Sequence, residues 1–125
     1  MAAAWAVMNY LGDEGYLRLT ESARSTTRQL AQAIQSIDGL HLRAAPDSTL
    51  LSFGAQGFDV FAVADELALH GWYVDRQAPP DSLHCTVNAV HHQVIEEFIV
   101  DLSHAVTKVR DAGSSGSVGA YGTIE

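Results

Sequence analysis

Residues 57–87, GFDVFAVADELALHGWYVDRQAPPDSLHCTV, change hydrophobic period halfway along, and this switch limits the possible folds more than any other feature of the chain. Val60, Val63, Ala64 and Leu67 recur at helical spacing, Asp59 stands where an N-cap belongs, and Gly71 can close the helix. Beyond Gly71 the runs WYVDR and LHCTVNAV read as strands, joined through the turn residues Pro79, Pro80 and Asp81. A helix feeding a hairpin needs further elements to cover its apolar faces.

The remaining sequence supplies them. The run MAAAWAVMNYLG is Ala-rich and apolar on every side, which predicts a buried helix over residues 2–11 that Gly12 ends. Asp13 then caps a second helix, along which Tyr16, Leu19, Ala23, Leu30, Ile34 and Ile37 keep close to helical period until Asp38-Gly39 stops it. LHLRA and STLLSFG predict two short strands parted by Ala45-Pro46-Asp47. A last helix over residues 91–110 carries Ile95, Phe98, Ile99, Leu102, Val106 and Val109 on one face. The order ααββαββα predicts an α+β fold, a four-stranded, mostly antiparallel sheet with helices packed on one side. Residues 113–125, GSSGSVGAYGTIE, have the Gly/Ser-rich composition of a flexible tail.

At 125 residues and 47% hydrophobic, the chain fits one domain with its own core. Fifteen acidic against seven basic residues leave a formal charge of −8, and no basic cluster occurs. Binding to nucleic acid needs the opposite balance, because affinity comes from neutralising phosphates, and an anionic membrane surface is disfavoured likewise. A single cysteine, Cys85, excludes an intramolecular disulfide and a four-cysteine zinc site, and points to a reducing, cytoplasmic compartment. The apolar opening run lacks the basic start of a signal peptide and is shorter than the roughly 20 residues of a membrane helix.

Several residues invite a chemical reading. His84 and Cys85 are adjacent on a strand, so they point to opposite faces and cannot form a nucleophile–base pair. Cys85, inside LHCTV, reads as a small core residue, whereas His84 fits a structural or a substrate-lining role. His92 and Glu96 share a helix face, but His91 and Glu97 do not; two ligands without a third read better as a solvated first turn, with acids at the helix's positive end. Asp75 and Asp81 flank the Pro-Pro turn, where paired carboxylates could run acid–base chemistry but aspartate is also a common turn residue. Lys108 is the sole lysine, and nothing in its surroundings supplies the desolvation that a Schiff-base lysine needs. No Gly-rich phosphate loop occurs. The residues alone give no catalytic set and no metal site.

Taken in order, however, several stretches resemble one family. AAAWAVMNYLGDEGY resembles the helix that leaves the large domain in pyridoxal-phosphate-dependent group II decarboxylase-like enzymes. FDVFAVADELALHGWYVDRQAPPDSLHCTV resembles the small C-terminal domain of their sphingosine-1-phosphate lyase branch. The shared features are an aspartate-led helix, a Gly-Trp entering a strand, a proline turn and a Ser-x-His-x-Cys-like strand. Here that strand reads Ser82-Leu83-His84-Cys85, with His and Cys one position closer. GSVGAYG is similar to the Gly-rich, Tyr-Gly tail of those lyases, one residue shorter between Ala120 and Tyr121.

The resemblance covers nearly the whole chain. It implies the C-terminal domain of a fold-type I enzyme, with residues 1–12 a linking helix from a large domain and residues 13–112 the small domain. The implied reaction splits the C2–C3 bond of phosphorylated sphingoid bases into a fatty aldehyde and phosphoethanolamine, with pyridoxal phosphate as electron sink. The family's Schiff-base lysine and cofactor-binding residues belong to the large domain, ahead of Met1. The resemblance therefore assigns no catalytic or cofactor-binding residue here, and implies a piece of a lyase, truncated or split, that holds no cofactor and is inactive alone. It implies that this domain closes one side of the active-site mouth, with His84 and Tyr121 lining it, in a homodimeric enzyme that an upstream segment can tie to a membrane. Two other readings stay open: the small domain of an amino-acid decarboxylase using the same cofactor, and an independent ferredoxin-like binding module. A His/Cys hydrolase or metal enzyme fits the residues least.

Overall fold

A computed structural model describes residues 1–116. Helix α1 (Ala2–Ser36) is broken at Gly12, whose φ of 57° and ψ of −176° lie in a backbone region essentially open only to glycine. Past the break, Ala23, Leu30 and Ile34 are buried, as their spacing predicts, whereas Tyr16 and Leu19 are exposed. The buried Thr26 and Thr27 satisfy their hydroxyls one turn back, donating to the carbonyls of Ser22 at 2.9 Å and Ala23 at 2.8 Å.

Residues 2–10 depart from expectation. All are exposed, Trp5 at 66% and Tyr10 at 89%, because no other element among the described residues covers this arm beyond the Gly12 break. Its apolar character all round remains without a packing partner among the described residues.

The sheet comprises β1 (Leu40–Leu42), β2 (Leu50–Ala55), β3 (Asp75–Gln77) and β4 (Ser82–Thr86) in the order β1-β2-β4-β3, every neighbouring pair antiparallel. Between the two hairpins runs α2 (Val60–Leu69), started by Asp59, whose carboxylate accepts from the Phe61 N–H at 2.8 Å. In the central pair Leu51 lies opposite Cys85, and Phe53 opposite Leu83. Those four side chains therefore share one face. Phe53 and Leu83 lose all exposure in a cluster with Ile34, Leu67 and Leu102, which places α1, α2 and α3 (Ile95–Ala112) on that face. The result is the expected α+β layer.

The last helix starts later than its periodicity suggests. Ala89–Gln93 form a 3-10 turn, in which the Asn88 N–H donates to His91 Nδ1 at 3.0 Å, and α3 begins only at Ile95. Within α3, Ile95, Phe98, Leu102, Val106 and Val109 are buried and Ile99 partly so. Among the described residues no helix is long and apolar enough to cross a membrane.

These placements predict opposite outcomes for two large side chains. Leu83→Ala should lower the unfolding free energy in urea by about 2–5 kcal/mol, because it leaves a cavity under the central strand. Trp5→Ala should change it by less than about 0.5 kcal/mol, because the isolated chain leaves that ring in water.

Candidate functional site

Strand β3 begins three residues later than the alternation of WYVDR suggests, and Trp72 explains why. Its backbone N–H donates to the Leu67 carbonyl at 3.0 Å, and its indole N–H donates to the Asp101 carboxylate on α3 at 2.7 Å. The indole also meets the Phe98 ring edge-on, with centroids 5.3 Å apart. Helices thus hold residue 72, and the β3–β4 ladder starts only where Asp75 pairs with His84.

Into the gap between residues 72–74 and the end of β4 opens a cavity of about 220 Å³. Leu30, Val74, Val87, Ile95 and Phe98, all buried, form its apolar floor. Partly exposed Asp75, His84 and His91 supply the carboxylate and imidazole groups at its walls, and no lysine or arginine lines it. His84 therefore lines this largely apolar cavity. Tyr121, the other residue expected to line a substrate mouth, lies outside the described residues.

Strand alternation separates His84 from Cys85 as expected, since Cys85 pairs with Leu51 on the core face and His84 with Ser52 on the other. Both still reach the cavity, because it opens at the frayed end of their strand. Burial pushes the Cys85 thiol up to about 12, and the nearby Asp75 carboxylate adds to the shift. The thiol stays protonated at neutral pH and is no nucleophile.

The remaining candidates do not converge. Asp81 is exposed in the turn, where its carbonyl accepts from Arg43; that guanidinium crosses Gly54 so closely that a Cβ there would come within 2.6 Å of it. Asp75 sits at the opposite end of the hairpin, so the two acids form no pair. His92 lies in the 3-10 turn, with Nδ1 3.3 Å from the Thr26 hydroxyl, and therefore does not share an α-helical face with Glu96. Among the described residues no three His, Cys, Asp or Glu side chains come together to hold a metal. Lys108 pairs with Glu66 at 2.7 Å while its own side chain is 64% exposed, so the ammonium is not desolvated.

Sequence reasoning missed the Trp72 anchor and the cavity it opens. The only local signal was a tryptophan directly after Gly71; its acceptor, Asp101, lies 29 residues away. The thiol shift gives a direct check. Iodoacetamide should label Cys85 in the native chain at pH 8 at least about tenfold more slowly than in 6 M urea. The same shift contributes stability that is present below pH 9 and lost as the pH rises towards 12, because the unfolded thiol ionises first.

No family model matches the chain. The sphingosine-1-phosphate lyase of Arabidopsis thaliana is 34% identical to it over 110 residues, covering 88% of this chain and 20% of that protein. The L-aspartate/L-glutamate decarboxylase of Pyrococcus horikoshii is 30% identical over 84% of this chain and 27% of that protein. Among solved structures, the sphingosine-1-phosphate lyase of Burkholderia pseudomallei superposes with a TM-score of 0.84 at 33% identity, over 89% of this chain and 26% of the other. Oryza sativa TDC, solved with PLP and tryptamine, shares the fold at 13% identity, with a TM-score of 0.73 over 83% of this chain. Sequence and fold agree: the chain belongs to the sphingosine-1-phosphate lyase branch of the pyridoxal-phosphate-dependent decarboxylase-like enzymes, and spans only about a fifth to a quarter of the length of these relatives.

Proposed function

We propose that this chain is the small C-terminal domain of a carbon–carbon lyase that cleaves phosphorylated sphingoid bases to a fatty aldehyde and phosphoethanolamine. The observation that carries the reading is the 34% identity to a lyase along 88% of the chain, matched by a TM-score of 0.84 to a second lyase. In this reading residues 1–12 form the link to a large domain, and residues 13–112 form the small domain. The exposed apolar arm supports that division, because a helix apolar all round is stable only when something covers it.

Pyridoxal phosphate, when bound, supplies the electron sink for bond cleavage. The residues of this chain do not fit it. Its one lysine is exposed and paired with Glu66, and no cation lines the cavity to hold a phosphate. The large domain therefore carries the cofactor, and the isolated chain has no lyase activity. His84 contributes a hydrogen-bonding imidazole beside an apolar cavity, a combination suited to orienting a substrate that is polar at one end and apolar at the other. The enzyme acts as a homodimer.

A second reading, the same domain in an amino-acid decarboxylase, draws on the 30% identity to the Pyrococcus horikoshii enzyme.

One chimera separates the readings: the Burkholderia pseudomallei lyase with its matching segment replaced by this chain. It should cleave a phosphorylated sphingoid base and leave L-aspartate and L-glutamate untouched. A folded, cofactor-loaded chimera with decarboxylase activity alone would overturn the lyase reading. In the active chimera His84→Ala should lower kcat/KM by about tenfold or more with little change in melting temperature. Unchanged kinetics would remove His84 from the substrate path.

A further inference from the structure

The cavity has a chemistry of its own, independent of any cofactor. Its volume, about 220 Å³, exceeds the roughly 150 Å³ of an engineered apolar cavity that takes up benzene. The floor of Leu30, Val87, Ile95 and Phe98 is wholly apolar. Yet one wall carries a carboxylate, Asp75, whose side chain has no hydrogen bond or ion pair among the described residues. Its sequence neighbour Arg76 does not neutralise it, because Arg76 points to the helical face and bonds Asp65 at 2.6 Å. The Asp75 charge is felt inside the cavity, since it adds to the shift of the Cys85 thiol that also lines it.

An apolar slot with a single uncompensated negative group and no cation selects a ligand with the complementary layout. We propose that this cavity is a binding site for small primary amines, with the alkyl or aryl part on the floor and the ammonium against the Asp75 carboxylate. His84, directly opposite Asp75 in the strand register, is within reach to accept a second ammonium hydrogen, as neutral imidazole can. A carboxylate of the same size is repelled, and an alcohol keeps the apolar contact and one neutral hydrogen-bond donor but brings no charge to Asp75.

The site needs nothing outside the described residues, so it stands or falls separately from the lyase reading. The test uses the full 125-residue chain without pyridoxal phosphate. Hexylamine, hexanol and hexanoate are titrated into labelled protein, and backbone amide shifts of Cys85, Val87 and Ile95 are followed by NMR. The expected result is saturable shifts at those amides, with a dissociation constant for hexylamine in roughly the millimolar range and affinity falling from amine to alcohol to carboxylate. Asp75→Asn, which preserves side-chain shape, should weaken hexylamine by about fivefold or more and change hexanol by less than about twofold. Val87→Phe, which fills the cavity, should abolish saturation by both. Equal binding of all three ligands would overturn the proposal, as would shifts confined to residues 2–11 or an amine affinity indifferent to Asp75→Asn.

Discussion

Phe53 and Leu83 meet across the β2–β4 pair, and the position of almost every other group follows from that register. Side chains alternate along a strand, so a slip of one residue would carry either Leu51 and Phe53 or Leu83 and Cys85 away from the helices. Each fully buried large apolar side chain is worth about 1.5–3 kcal/mol, which makes the register strongly specified. It also settles the polar groups. With Leu83 facing the helices, His84 must face outward, and the β3 pairing then sets Asp75 directly beside it.

A second constraint works against the sheet. Trp72 could extend β3 by alternation, but its backbone bonds to the end of α2 and its indole bonds to Asp101 of α3. The chain gives up three ladder positions and gains an edge-to-face ring contact and a charge-assisted hydrogen bond. The cavity is the geometric remainder of that exchange. It lies between a strand that stops and a segment drawn towards the helices, which is why side chains from both faces of β4 reach it.

Much of this was legible in the sequence. The Asp59 cap, the α2 stripe, the buried face of α3 and the order of elements all rest on contacts between near neighbours, and local spacing reports them faithfully. The separation of His84 from Cys85 followed from the strand period alone. Three features were not legible. The late start of β3 depends on a partner 29 residues away, and the buried threonines of α1 are polar residues whose hydroxyls are satisfied inside their own helix. The exposed arm is the third: an apolar helix predicts burial, but the spacing of its residues does not say which chain provides it.

That arm concentrates the central claim, that the domain is folded by its own core yet shaped for a larger enzyme. Hydrogen–deuterium exchange tests it most directly, comparing the isolated chain with the same chain joined to the large part of the Burkholderia pseudomallei lyase. In the isolated chain residues 2–11 should exchange at nearly the rate of an unstructured peptide while residues 26–34 and 83–87 stay protected. In the joined protein residues 2–11 should become protected as well. Strong protection of the arm in the isolated monomer, or none in the joined protein, would contradict the account.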